Sequence, residues 1–326
     1  MIGRIVKAMI VLLKEPGHLI PAQVDRLHAL AGPRPVRITP DLDPLADDFD
    51  RIEILAGFLG PNHLARLPAL RWVQVWSAGV NNLVTNPSVM AADYTITTTS
   101  GIHAIPMGEQ ILGYMTAFAR GLPRAMRAQV RGVWDDDPWA QISELHDRTV
   151  LILGAGAIGC RTAELCLAFG MKVIGVRRDP VKDAEPRFPV HPVSQLDELL
   201  PQADYLVNAL PLTAGTRNLI DSAAIARLKP GAFFINIGRG KTVDEPALIE
   251  ALRSGHLGGA GLDVFTEEPL PAASPLWTME NVIITRHYAG SSPRYDERAM
   301  ELFLENLERF ISGKSLRNQV DRHRGY

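Results

Sequence analysis

The feature that most restricts the fold is a glycine-rich turn between an apolar strand and a helix. Residues 149–153 are a run of apolar and β-branched side chains that leads directly into the pattern G-x-G-x-x-G at 154–159. A helix-forming run at 161–169 and a second apolar strand at 172–176 follow, as in a strand–helix–strand unit. The first glycine permits a tight turn, the second lets a pyrophosphate approach the backbone, and the third brings helix and strand together. The candidate cofactor-binding residues here are Gly154, Gly156, Ala157, Ile158 and Gly159.

Short apolar runs alternate with helical patterns on both sides of this unit. The strand candidates of the first series are 5–13, 35–38, 52–55, 72–75 and 95–97. Those of the second series are 149–153, 172–176, 205–208, 233–237, 259–263 and 282–285. Such alternation is typical of parallel sheets with helices on both faces. The sequence therefore predicts an α/β fold with two doubly wound, Rossmann-like domains.

The two series are separated by a long helical stretch that runs from Ser100 to Arg120. An amphipathic helix at 293–311 follows the second series, where it has no sheet of its own to cover. We therefore expect it to return to the first domain. This predicts a dinucleotide-binding domain at 100–290, inserted into a substrate domain made of 1–99 and 291–326.

Composition excludes several classes of function. The net charge of -2 gives no reason to expect a nucleic-acid partner, and no apolar run approaches the roughly 18 residues needed to span a membrane. The run at 4–13 contains Lys7 and lacks a cleavage site, so it predicts a buried strand rather than a signal peptide. Cys160 and Cys166 fit neither a disulfide framework nor a zinc site, and no histidine pair has metal-ligand spacing. We therefore predict buried thiols, no metal and a cytoplasmic location.

The end of the second strand at 172–176 bears on the choice of cofactor. An acidic residue at this place would bind the ribose hydroxyls of NAD and repel the 2′-phosphate of NADP. The first residue past the predicted strand is Arg177, and Arg178 follows it. Two guanidinium groups suit a phosphate, so NADP is favoured. In the alternative, the arginines are solvated and Asp179 binds the ribose of NAD.

Three further stretches place polar residues just past a strand, where open α/β sheets bind ligands. In the first, Arg239 stands between two glycines after the strand at 233–237. The second stretch, 261–269, contains Asp263 and ends in two glutamates before a proline. The third, 282–290, contains His287. These residues are therefore candidates to contact a ligand at the carboxyl ends of the strands.

Together these stretches resemble the D-isomer-specific 2-hydroxyacid dehydrogenase family. The resemblance extends to the motifs at 76–80, 106–109, 211–216, 243–248 and 274–277, so it covers roughly residues 70 to 290. The order of elements is most similar to that of the glyoxylate and hydroxypyruvate reductase branch. One departure is Arg286, which stands where the family usually has proline before the histidine and which bears on substrate preference.

The resemblance implies an oxidoreductase that transfers a hydride from NAD(P)H to a small 2-keto acid. Arg239 would bind the substrate carboxylate, His287 would donate a proton to the keto oxygen, and Glu268 would hold the imidazole. Asp263 would bind the nicotinamide carboxamide, and the backbone at Ala78 and Gly79 would contact the substrate. The remaining cofactor contacts that it implies are Pro211, Thr216, Ile237, Gly238 and Gly290.

Two other functions remain open at this point, and one assembly is expected. The chain could be a dehydrogenase of another 2-hydroxy acid such as 3-phosphoglycerate, or an NAD(H)-binding corepressor without turnover. We expect a homodimer, from the resemblance, the apolar stretch at 111–118 and two tryptophans, Trp134 and Trp139, in a polar loop.

Overall fold

The computed structural model of the 326-residue chain describes residues 8–135, 142–179 and 187–322. The chain divides into two compact units. One consists of Met1–Ile102 with Ser292–Tyr326, and the other is His103–Ser291. The sequence placed the two boundaries at 99/100 and 290/291.

The first unit is built on a five-stranded parallel sheet in the order β2-β1-β3-β4-β5. Its strands are β1 (Met9–Leu13), β2 (Val36–Thr39), β3 (Ile52–Gly57), β4 (Trp72–Val75) and β5 (Thr95–Thr98). Its helices before the second unit are α1 (Pro21–Ala31), α2 (Pro61–Leu64), α3 (Asn81–Val84) and α4 (Pro87–Ala91). Two 3₁₀ segments lie at Pro16–His18 and Asp43–Arg51. Residues 5–7 of the first predicted strand lie outside the described residues.

The second unit is built on a seven-stranded parallel sheet in the order β12-β11-β10-β9-β6-β7-β8. Its strands are β6 (Thr149–Leu153), β7 (Lys172–Arg177), β8 (Val190–Pro192), β9 (Tyr205–Asn208), β10 (Ala232–Asn236), β11 (Leu257–Leu262) and β12 (Val282–Ile284). Its helices are α5 (Ala104–Ala119), α6 (Leu122–Arg131), α7 (Ala157–Ala168), α8 (Leu196–Leu199), α9 (Ser222–Arg227) and α10 (Glu245–Arg253). Short 3₁₀ helices lie at Val193–Gln195, Leu200–Gln202, Gly240–Thr242 and Pro275–Thr278. The strand order reverses between β6 and β9, which is where open α/β sheets bind ligands.

The last helix, α11 (Tyr295–Ile311), returns to the first unit, as the sequence predicted. Its apolar face packs on the sheet of that unit beside α1. The ring of Trp72 on β4 stacks on Phe303 with centroids 5.2 Å apart. Lys14, just past β1, forms a 2.6 Å ion pair with Asp296. The second unit is therefore inserted in the sequence of the first, and the predicted fold class is confirmed.

Several details differ from the sequence-based predictions. The short strand β8 was not predicted, and its pairing of Pro192 with Arg177 makes Arg177 the last residue of β7 rather than the first residue past it. Cys166 is buried but Cys160 is exposed, because six helical positions place the two thiols on different faces of α7. Within the described ranges, no helix is both long and apolar enough to cross a membrane.

The apolar stretch at 111–118 was also misassigned to an interface. Ile111, Met115 and Phe118 on α5 are buried in the core of the second unit, where α5 packs against α7. The next helix, α6, was not predicted as a separate element. Residues 136–141, with Trp139, lie outside the described residues.

Candidate active site

The glycine turn between β6 and α7 has separate requirements at its three glycines. Gly154 has a φ of 98°, and a Cβ there would lie 2.9 Å from the carbonyl oxygen of Ala209. A Cβ on Gly159 would lie 2.2 Å from the carbonyl oxygen of Gly154. A Cβ on Gly156, in contrast, would meet no atom within 4 Å. The fold therefore requires the first and third glycines, and the space beside the second is open for a ligand.

The start of α7 faces this open space. Ala157 and Ile158 form its first turn, in which the backbone amides have no acceptor within the helix. An anion placed there is stabilised by these amides and by the helix dipole. On the neighbouring strand β7, Arg177 is half-buried, and Arg178 and Asp179 are exposed. The local geometry fits the pyrophosphate of a dinucleotide.

The loop after β9 contains the next two predicted cofactor residues. The Thr216 hydroxyl accepts a hydrogen bond from the amide of Thr213 at 2.8 Å and donates one to the carbonyl oxygen of Pro211 at 2.6 Å. These bonds close the turn at 211–216. Pro211 itself is exposed, which leaves its surface accessible to a ligand.

Arg239 follows β10, after the buried residues Ile237 and Gly238. Its Nη1 donates to the carbonyl oxygen of Gly238 at 2.7 Å. Burial lowers the pKa of this guanidinium, and the negative charge of Glu268 acts in the opposite direction. The side chain is thus a partly desolvated cation, which is well suited to bind a carboxylate.

His287 and Glu268 form the central pair of the site. Nδ1 of His287 lies 2.7 Å from Oε2 of Glu268, while Oε1 accepts from the amide of Phe265 at 3.0 Å. The side chains are 48% and 37% exposed, respectively. Because a carboxylate only accepts hydrogen bonds, Nδ1 of His287 must carry the proton in this contact. Nε2 is then left to face a ligand. Of the two adjacent glutamates, Glu268 makes this contact.

Close packing brings the Arg239 loop against the loop that carries Glu268. A Cβ on Gly240 would lie 1.9 Å from the backbone of Phe265. No other residue type fits at this position without moving one of the two loops. Asp263, just past β11, is buried, and its carboxylate accepts hydrogen bonds from Thr285, Tyr288 and Ala289.

This geometry can be compared with known proteins. The family model described as "D-isomer specific 2-hydroxyacid dehydrogenase, NAD binding domain" matches residues 112–289. A glyoxylate/hydroxypyruvate reductase B from Salmonella heidelberg (strain SL476) is 33% identical over 309 residues, which are 91% of this chain and 94% of that protein. The chain belongs to the D-isomer specific 2-hydroxyacid dehydrogenase family.

Two solved structures resemble the whole of this dehydrogenase chain. A D-isomer specific 2-hydroxyacid dehydrogenase from Xanthobacter autotrophicus Py2, in complex with NADPH and MES, has a TM-score of 0.82 and 32% identity. It covers 98% of this chain and 100% of its own. An NADPH-dependent glyoxylate/hydroxypyruvate reductase from Sinorhizobium meliloti, in complex with NADP and sulfate, has a TM-score of 0.81 and 31% identity. It likewise covers 98% of this chain and 100% of its own.

Sequence reasoning missed a buried polar network that holds the backbone of Arg239 in this dehydrogenase. Asn208, the last residue of β9, donates to Asn236 Oδ1 at 2.9 Å and to Thr242 Oγ1 at 2.7 Å. Thr242 in turn donates to the carbonyl oxygen of Arg239 at 2.6 Å. All three polar side chains of the network are buried. The signal that could have revealed Asn208 and Asn236 is that each is a polar residue at the end of an apolar strand.

Of the nine histidines, only His287 was singled out from the sequence, and the structure places a second one, His103, near Arg239 and Gly290. It directly precedes α5, and a Cβ on Gly290 would lie 2.8 Å from its Cδ2. Burial, together with the positive charge of Arg239, lowers the pKa of His103 to about 4. The imidazole is therefore neutral at pH 7 and adds no second cation beside Arg239.

The predicted substrate contacts Ala78 and Gly79 lie in the first unit, just past β4. Ala78 is exposed. The Ser77 hydroxyl donates to the carbonyl oxygen of Gly79 at 2.7 Å, which closes a tight turn. Within the described residues, no cluster of three or more His, Cys, Asp or Glu side chains could hold a metal ion.

Proposed function

We propose that this dehydrogenase reduces a small 2-keto acid to the D-2-hydroxy acid, with glyoxylate and hydroxypyruvate as its substrate class. The observation that carries the proposal is the 2.7 Å pair of His287 and Glu268, with Glu268 close enough to Arg239 for its negative charge to oppose burial, which lowers the pKa of Arg239. The relatives named as glyoxylate/hydroxypyruvate reductases support the substrate class.

A 2-keto acid presents one carboxylate and one oxygen on which negative charge develops. Arg239 binds the carboxylate through its forked donors, so that the keto carbon is held in a fixed orientation. A bound nicotinamide cofactor supplies the hydride. His287, held at Nδ1 by Glu268, donates the proton on Nε2 to the keto oxygen. Glu268 stabilises the positive charge of the imidazolium form before that transfer.

The cofactor would lie along the carboxyl ends of β6, β7, β9 and β10. Its pyrophosphate fits the open space at Gly156 and the first amides of α7. A carboxylate accepts about four hydrogen bonds, and Asp263 receives three from the part of the chain that the structure describes, so one position remains there for the carboxamide of the nicotinamide. The other proposed cofactor contacts are Ala157, Ile158, Pro211, Thr216, Ile237, Gly238 and Gly290, and the proposed substrate contacts of the first unit are Ala78 and Gly79.

We further propose that NADPH is preferred over NADH. The 2′-phosphate is the only chemical difference between the two cofactors, so the groups at the adenosine ribose decide the preference. Arg177 ends β7 and Arg178 follows it, next to the glycine turn on β6. The complexes of related proteins with NADPH and NADP support this proposal.

We also propose a homodimer that forms through α6. Leu122, Met126 and Val130 are exposed and recur every four residues, which places them on one face of this helix. Val130 and Trp134 are each 89% exposed. Apolar and aromatic side chains that are this exposed suit an interface better than open water.

The decisive experiment is a panel of 2-keto acids assayed with NADPH and with NADH. We expect glyoxylate and hydroxypyruvate to give the largest kcat/KM, with smaller values for 3-phosphohydroxypyruvate and for bulky 2-keto acids. If the protein binds NADPH but oxidises it with none of these acids, the proposal is refuted. That result would favour a binding protein without turnover.

A further inference from the structure

A chain of buried hydroxyl groups connects α5 to the loop that carries His287. The hydroxyl of Tyr114 on α5 lies 2.5 Å from Oγ1 of Thr285, which directly follows β12. Oγ1 of Thr285 in turn lies 2.5 Å from Oδ1 of Asp263. All three side chains are buried in the second unit. None of the cofactor or proton-transfer roles described above uses Tyr114 or Thr285.

The hydrogen bonds between these three side chains run in one direction, from Tyr114 through Thr285 to Asp263. The carboxylate of Asp263 only accepts, so the single hydroxyl proton of Thr285 points to Asp263. Thr285 must then accept from Tyr114, whose own proton points to Thr285. Burial raises the pKa of Tyr114 to about 12, so the phenol keeps this proton at neutral pH.

A glycine in β11 makes room for the ring of Tyr114. A Cβ on Gly261 of β11 would lie 2.6 Å from Cγ of Tyr114. The ring therefore lies against the strand at a position that only glycine leaves open, two residues before Asp263. The motif at 261–263 thus combines the space for a ring with the carboxylate to which that ring is connected.

The other end of the chain is the backbone next to His287. Asp263 accepts from the amides of Tyr288 and Ala289, both at 3.0 Å. His287 itself has a φ of 55°, in the left-handed region that non-glycine residues occupy only when their surroundings hold them there. The bonds of Asp263 to the next two amides supply such a restraint.

We propose that Tyr114 and Thr285 are positioning residues for His287. They orient and restrain Asp263, which holds the backbone on the carboxyl side of His287 and so directs the imidazole toward the substrate. The expected effect of Tyr114 and Thr285 on turnover rests on the proposed function. Their expected effect on the loop that carries His287 does not depend on any substrate.

The test uses three variants and a matched control. Thr285→Val keeps the shape of the side chain and removes the hydroxyl, Tyr114→Phe removes one oxygen, and Thr285→Ser retains the donor. Tyr205→Phe is the control. Tyr205 is also a buried tyrosine of the second unit with a pKa of about 12, but its hydroxyl forms a hydrogen bond with Ser143 instead of Thr285. Thermal unfolding and the Kd for NADPH, followed by fluorescence, are measured for every variant.

We expect Thr285→Val to lower kcat on the order of tenfold to a hundredfold, the cost of a small displacement of a reacting group. The Kd for NADPH should rise much less than kcat falls, because the other proposed cofactor contacts do not involve Asp263. Tyr114→Phe should lower kcat less, and Thr285→Ser should recover most of the activity. A kcat of Thr285→Val equal to that of the wild type, or an equal fall in Tyr205→Phe, would overturn the proposal.

Amide hydrogen exchange separates this proposal from the proposed function. The amides of Tyr288 and Ala289 should exchange faster in Thr285→Val than in the wild type or in Tyr205→Phe. If the wild type reduces no 2-keto acid, the proposed function fails, and exchange alone then decides: faster exchange supports the positioning role, and unchanged exchange overturns it. If Thr285→Val does not fold, Tyr114→Phe is judged by the same two measurements.

Discussion

We expect His103 to make the stability of this protein depend on pH, and the size of the effect can be worked out from the surroundings of its imidazole. Burial and the positive charge of Arg239 lower its pKa from 6.5 to about 4. Between these two values the unfolded chain binds a proton that the folded chain does not. The free energy of unfolding therefore decreases as the pH falls through this window, by about 1.4 kcal/mol per unit. His103 alone should cost about 2 kcal/mol at pH 5 relative to pH 7.

The variant His103→Gln removes this titration and retains a neutral polar side chain. Urea unfolding of both proteins at pH 7 and at pH 5 gives the difference in free energy at each pH. Between pH 7 and pH 5, the free energy of unfolding of the variant should fall by about 2 kcal/mol less than that of the wild type. The reason is that only the folded wild type keeps a proton off the imidazole of His103. Tyr205→Phe, whose phenol has a pKa of about 12 in the wild type, controls for general loss of stability. Free energies of wild type and His103→Gln that change in parallel with pH would refute the reasoning.

Four further predictions concern the active site and the assembly. His287→Ala should bind NADPH normally and lose a factor on the order of 10² to 10⁴ in kcat, because the variant lacks the proposed proton donor; a kcat near that of the wild type would contradict that role of His287. Arg177→Asp should reduce kcat/KM for NADPH by roughly tenfold to a hundredfold more than for NADH, and a wild type that prefers NADH would contradict the assignment. Gly156→Val should unfold at the wild-type temperature yet fail to bind the cofactor, whereas Gly159→Ala should unfold at a lower temperature, because only its Cβ meets backbone atoms at 2.2 Å. Val130→Asp should convert the proposed dimer to a monomer in light scattering, and a wild type of 35.7 kDa would argue against the proposed dimer.

The parts of the fold that could be predicted are those specified by short-range patterns. The apolar runs at 149–153 and 205–208 are strands with the predicted bounds, because a buried parallel strand needs an uninterrupted apolar run. The glycine turn was predictable for a similar reason, since its steric requirements lie within six residues. The order of Arg239, Glu268 and His287 along the chain led, through its resemblance to the family, to the proposal that these three residues form the active site.

The elements that could not be predicted depend on contacts between distant parts of the chain. The strand β8 has three residues and ends in proline, so only its pairing with β7 reveals it. The apolar surface of α5 was assigned to an interface because the sequence does not show that α7 covers it. His103 offers no signal for its low pKa, which comes from burial and from a charge 136 positions later along the chain.

The polar residues that support the site nevertheless follow one rule of position. Asn208 and Asn236 are the last residues of β9 and β10, and Asp263 and Thr285 each stand one residue past β11 and β12. A polar group buried at these positions costs stability unless it is fully hydrogen-bonded, so each of the four is there for a bond that an apolar residue cannot make. The first two position Arg239 through Thr242, and the last two position the loop of His287. Because neighbouring parallel strands end at the same edge, a buried polar residue at the end of each of four successive strands indicates a site in the sequence before any reacting residue is identified.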